Sequence, residues 1–126
     1  MPVRSLSSSV LKWPDAPTVE AALRDWAKAT ALSRPDVSRI GYIGSYARGD
    51  WGVGSDLDIV IVLRDSAQGF EERALVFDTT GLPVPSDVLV YTEPEFQSLV
   101  DSATRFGRTL RAETVWLFRS TSRPGH

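Results

Sequence analysis

The stretch Ser55-Asp56-Leu57-Asp58-Ile59-Val60-Ile61-Val62-Leu63 places two carboxylates at the head of a run that is otherwise strongly β-forming and apolar. Residues two apart in a strand project to the same face, about 6.6–7 Å apart along it. Asp56 and Asp58 therefore share one side with Val60 and Val62, while Leu57, Ile59, Ile61 and Leu63 pack the other. Two such carboxylates repel one another and resist desolvation, so the pair is tolerable when a cation sits between them. Oxygen donors with no neighbouring His or Cys suit Mg²⁺ or Mn²⁺.

Eleven residues before Asp56 stands Gly44-Ser45, followed by Tyr46-Ala47-Arg48-Gly49. A glycine where a strand turns into a short helix lets the backbone approach a ligand closely. The serine hydroxyl and the open amides of the helix start form an anion site. Downstream, Asp87 opens another β-branched stretch that could lie beside the strand carrying Asp56 and Asp58 and add a third carboxylate to the pair. An anion site joined to a metal site suits a nucleoside triphosphate with its cation, and three acids can hold two cations. Arg48 could touch phosphate or brace the Gly-Ser turn. Ser55 could orient Asp56 or cap the loop. Tyr46 and Trp51 could stack on a base or pack locally.

These residues must be positioned by a regular frame. Asp15 caps a helix over about 16–31, with Pro17 in its first turn and Val19, Ala22, Leu23, Trp26, Ala27 and Thr30 on one stripe. A strand over about 37–43 delivers Gly44. The second strand spans about 56–63, and Phe70–Gly81 reads as a helix or irregular crossover. The third strand spans about 84–91, and Thr92 caps a helix beginning Glu93-Pro94. A further helix over 103–112 precedes a short closing strand, Val115-Trp116-Leu117-Phe118. Strands alternating with helices indicate an α/β or α+β sheet.

At 126 residues, 42% hydrophobic and 24% charged, the chain has the size and composition of one ordinary globular domain. We expect an arm over 1–14, the domain over 15–119 and a tail over 120–126, with Trp13 docking the arm and His126 playing no part. The absence of cysteine removes disulfides, thiol nucleophiles and Cys-based zinc sites. No run reaches the roughly 20 apolar residues of a membrane span, and the start lacks a signal-peptide core, so a cytoplasmic protein is expected. A net charge of −2 and pI near 5.3 argue against direct nucleic-acid binding. Charge is nonetheless uneven: Arg105, Arg108, Arg111, Arg119 and Arg123 face only Glu113 after residue 102. The first three share one side of a helix, as a solvated face or as a contact for RNA, triphosphate or an acidic partner.

The segment Gly44-Ser45-Tyr46-Ala47-Arg48-Gly49 to Ser55-Asp56-Leu57-Asp58, with Asp87 downstream, resembles the minimal nucleotidyltransferase branch of the DNA polymerase β-like superfamily. The resemblance is close over about residues 37–91 and loose in the helical tail. It implies the nucleotidyltransferase fold, a single domain with a small mixed β-sheet flanked by helices. It also implies that Gly44, Ser45, Arg48 and Ser55 lie at the nucleotide, and that Asp56, Asp58 and Asp87 bind Mg²⁺ or Mn²⁺ and carry catalysis. ATP would be the nucleotidyl donor. Only about 35 residues follow the third strand, so the acceptor site is expected to be shallow, shared in a homo-oligomer, or provided by another protein. Members of this branch pair with a HEPN-domain toxin and adenylylate its tyrosine, which makes an antitoxin the leading expectation. A homodimeric small-molecule nucleotidyltransferase and a non-catalytic binding antitoxin are the alternatives.

Overall fold

The computed structural model describes residues 14–52 and 54–120; the expectations for Trp13, most of the N-terminal arm and the tail to His126 lie outside those residues. Helix α1 runs Ala16–Ser33, capped by the Asp15 carboxylate, which accepts from the Thr18 amide at 2.9 Å. Val19, Leu23 and Ala27, four residues apart, are buried along it. It outlasts the expected end at Ala31 and stops where Pro35 disfavours helical backbone at Arg34.

Strand β1 (Val37–Ile43) leads into the single-turn α2 (Ser45–Arg48), and a glycine loop leads to β2 (Leu57–Leu63). After a short α3 (Phe70–Ala74) come β3 (Ser86–Thr92), α4 (Glu93–Asp101), α5 (Arg105–Glu113) and β4 (Val115–Arg119). The four strands form one mixed sheet in the order β3-β2-β1-β4. β1 pairs antiparallel with β2 and β4, whereas β2 and β3 run parallel.

Both faces of β2 are covered, which explains its unbroken apolar run. Leu57, Ile59, Ile61 and Leu63 pack with Val19, Leu23 and Ala27 of α1 and with Phe77, Leu82 and Val84 of the crossover. Each fully buried side chain of this kind contributes about 1.5–3 kcal/mol. Val60 and Val62 face the other way, onto Ile43, Phe96 and Leu110. Asp58 continues that second face beyond the cover of α4 and α5.

Other differences from the sequence reading lie in the sheet and the crossover. Asp56 lies just before β2 rather than within it, because the ladder to β3 begins at Leu57↔Ser86. Strand β3 starts at Ser86 instead of Val84, whose side chain turns into the core while still in the loop. The crossover holds only a five-residue helix. Its pattern is inverted: Arg73 is 6% exposed, while Leu75 is 82% exposed. Arg73 is buried because its guanidinium bonds both Glu95 carboxylate oxygens, the Val90 carbonyl and the Gln68 carbonyl. Thr92 caps α4 as expected, exchanging hydrogen bonds with Glu95.

Candidate functional site

The site forms where β1 ends and β2 and β3 begin. Ile43 pairs with Asp58, and Asp58 pairs with Asp87 across the parallel ladder. Paired positions project to one face, so the Asp58 and Asp87 carboxylates emerge side by side at roughly the 4.8 Å strand spacing. Asp56, two residues before Asp58, joins them from the loop. Burial is the largest influence on Asp58 and raises its pKa; the negative charges of Asp87 and then Asp56 raise it further, while Arg48 opposes them. The structure thus brings all three sequence-predicted acids into one electrostatic cluster, with Asp58 half-buried and the other two exposed.

Gly44 closes this cluster from the β1 side. Its φ of 89° and ψ of −155° fall in a region essentially reserved for glycine. A Cβ at that position would stand 2.7 Å from Asp58 Oδ2. Both the backbone and the space therefore require glycine, and the bend is packed against the carboxylate it serves. The amides of Ser45, Tyr46 and Ala47 precede the first helical bond, from Arg48 N to Gly44 O, and are left open toward the bend. Gly49, also left-handed at φ 85°, ends the turn.

Arg48 extends from α2 to Asp50 at 3.2 Å and to Glu113 at 3.6 Å. Its interaction with Asp58 places its charge beside the acids, and its ion pair with Glu113 ties the bend to the end of α5. The Glu113 contact joins residues 65 apart in sequence, and no local pattern signalled it. Ser55 is held inside the glycine loop: its hydroxyl accepts from the Gly52 amide at 2.8 Å. Tyr46 and Trp51 stack on each other, with centroids 5.7 Å apart and planes 9° apart, so they brace the loop locally.

Two of the three α5 arginines cover helix-corner carbonyls. Arg108 donates to the Ala103 carbonyl at 2.6 Å and Arg111 to that of Val100. They satisfy acceptors left open where α4 ends.

The donor set fits a hard divalent cation: three carboxylates, no imidazole and no thiolate, beside a bend with open amides. Burial and mutual repulsion at Asp58 are relieved by a proton or by a cation. Among the described residues, no three acids or histidines stand at ligating separation around one point. Side-chain rotation of the exposed Asp56 and Asp87 would therefore accompany cation binding.

Comparison with known proteins bears on the same segment. The profile of the nucleotidyltransferase domain matches residues 26–110, which contain the bend and all three acids. A Sulfolobus solfataricus protein assigned as a nucleotidyltransferase superposes with a TM-score of 0.61 at 20% identity, over 82% of this chain and 83% of that one. A toxin–antitoxin crystallised with AMP-PNP superposes at 0.54 and 18% identity, over 78% and 74%. At such identities the likeness is one of fold. No curated protein matches the sequence.

Proposed function

The chain belongs to the nucleotidyltransferase domain family, and we propose that it transfers AMP from ATP to a hydroxyl on a partner protein, as the antitoxin of a two-component pair with a HEPN-type toxin. The observation that carries the chemistry is the packing of Gly44 against Asp58 with Asp87 paired alongside. A bend with open amides and a carboxylate cluster share one corner of the sheet. The acceptor assignment is supported by the lack of a covering element over the exposed Asp56 and Asp87 among the described residues, and by the fold likeness to a toxin–antitoxin bound to a triphosphate analogue.

In this reading the open amides of α2 and the Ser45 hydroxyl hold the β- and γ-phosphates, and Arg48 adds positive charge at their flank. Divalent cations, when held by Asp56, Asp58 and Asp87, neutralise the triphosphate and polarise the α-phosphorus. The acceptor oxygen attacks that phosphorus from the Asp87 side. The new P–O bond forms as the bond to pyrophosphate breaks, the electron pair leaves with pyrophosphate, and Asp87 takes the acceptor proton. No side chain of this chain forms a covalent intermediate. Catalysis comes from alignment and charge neutralisation. Ser55 serves by fixing the loop that delivers Asp56.

The test is intact-mass analysis of a co-expressed partner after incubation with Mg²⁺ or Mn²⁺ and ATP. A mass increase of one or more AMP units is expected, abolished by Asp56→Asn with Asp58→Asn. Full neutralisation of the toxin by that double variant would instead favour inhibition by contact alone.

A further inference from the structure

The parallel ladder fixes which backbone groups of β3 face its outer edge. The Leu57 amide donates to the Pro85 carbonyl at 2.9 Å, so the odd-numbered positions of this segment face β2. The even-numbered ones face outward, as Val90 shows: its carbonyl accepts from Arg73 rather than from a strand. Ser86 and Val88 therefore present their N–H and C=O groups away from the sheet. Among the described residues, nothing pairs with these outward backbone groups.

The edge is open over a short and particular length. Toward its C-terminal end Arg73 occupies Val90, and Phe70 lies against Tyr91 with centroids 5.3 Å apart. Native sheets guard their edges with charges and covering elements of this kind. The unguarded part flanks Asp87, whose side chain projects to the carboxylate face. Val88 points to the opposite face and packs on the core.

We propose that the edge of β3 at Ser86 and Val88 is the acceptor-docking surface, and that the acceptor is an extended peptide segment added there as a fifth strand. An added strand would lie about 4.8 Å from β3. Its residue opposite Asp87 would project to the carboxylate face, placing a hydroxyl-bearing side chain next to the proposed proton acceptor. A tyrosine is long enough to lean across one strand spacing toward Asp58. Backbone pairing would supply affinity with little dependence on flanking sequence, as in other strand-addition complexes. The Arg73 guard would set the register by stopping the added strand before Val90. The inference rests on the transferase reading above for its chemistry, but its geometry stands on the edge alone.

The probe is a nine-residue peptide with a central tyrosine flanked by alternating threonine and valine. Its partner is the same peptide N-methylated at alternate residues, which keeps the hydroxyl and loses strand pairing. Amide hydrogen exchange is followed in the Asp56→Asn, Asp58→Asn double variant, and AMP incorporation in the parent protein. The unmodified peptide should slow exchange at Ser86 and Val88 at least tenfold, and the N-methylated peptide should leave it unchanged. AMP transfer, where it occurs, should fall at least tenfold with the N-methylated peptide. Val88→Pro, which removes the outward N–H and the valine's contact with the core, should fold with a lower Tm but an unchanged circular dichroism spectrum, and lose the protection at Ser86. Protection without transfer supports the docking edge while refuting the transferase reading. Absence of protection, or equal transfer to both peptides, overturns the docking edge.

Discussion

Replacing Gly44 with alanine tests how closely the bend is fitted to Asp58, and Gly49→Ala provides its matched control. Both glycines have positive φ, but Gly49 at ψ 10° lies in the ordinary left-handed region, where alanine costs about 1–2 kcal/mol, whereas Gly44 at ψ −155° lies where alanine costs about 3 kcal/mol. Those costs correspond to falls in Tm of about 6 °C at Gly49 and about 12 °C at Gly44 for a chain of this size. Only at Gly44 does the new methyl meet the site: its Cβ would lie 2.7 Å from Asp58 Oδ2, whereas nothing lies within 4 Å at Gly49. Restoring ordinary contact at 3.4 Å moves the carboxylate and the bend apart by about 0.7 Å. A misplacement approaching 1 Å costs about 100-fold in rate, equivalent to about 2.7 kcal/mol of transition-state stabilisation. The assay is kcat/KM for AMP transfer to the proposed partner protein, with Tm measured on the same samples. Gly44→Ala should lose about 100-fold and Gly49→Ala less than threefold, each assayed well below its own Tm. If the two variants lose activity equally, or Gly44→Ala retains full rate, the proposed fit between bend and carboxylate is wrong.

Asp58→Asn should abolish transfer while holding or raising stability at neutral pH. The folded pKa of Asp58 is raised above 3.8, so its burden is absent at low pH and grows as pH rises through the folded value; urea unfolding at pH 3.5 and 7 should show the variant's advantage only at the higher pH. Glu95 titrates in the opposite sense. Arg73 and the Thr92 amide hold its pKa down to about 2 from 4.5, so its contribution is complete above 4.5 and lost as pH falls toward 2; Glu95→Gln should flatten the acid limb of the stability curve. Arg73→Ala should destabilise by about 2 kcal/mol by leaving the Val90 and Gln68 carbonyls without their donor, measurable by chemical denaturation. Gly107→Ala should cost more than about 2 kcal/mol, because a Cβ there would fall 2.1 Å from the Leu99 carbonyl where α5 crosses α4.

Much of this arrangement is legible in the sequence because it is local. The Asp15 cap, Pro17 and the four-residue spacing of Val19, Leu23 and Ala27 declare α1, and the Thr92–Glu95 exchange declares α4. The apolar run after Asp56 declares a strand buried on both faces, and the structure buries it so. The crossover is not legible, because burial of Arg73 depends on Glu95 and Val90, which lie far along the chain. Exposed Leu75 and Val76 then mislead any reading by hydrophobicity. At the site, the residue types are evident but their relations are not. The closeness of Gly44 to Asp58 and the tie from Arg48 to Glu113 arise only when β1, β2 and α5 meet. The α5 arginine row shows the same limit, since the carbonyls of Val100 and Ala103 that Arg111 and Arg108 cover carry no sequence signature.

A crystal structure of the protein with Mn²⁺ and a non-hydrolysable ATP analogue would interrogate the cluster itself. Anomalous peaks should lie about 2.0–2.2 Å from oxygens of Asp56 and Asp58, with an Asp87 oxygen on at least one of them and the triphosphate seated on the Ser45–Ala47 amides. Manganese bound elsewhere, or Asp87 rotated away from a correctly seated triphosphate, would contradict the account.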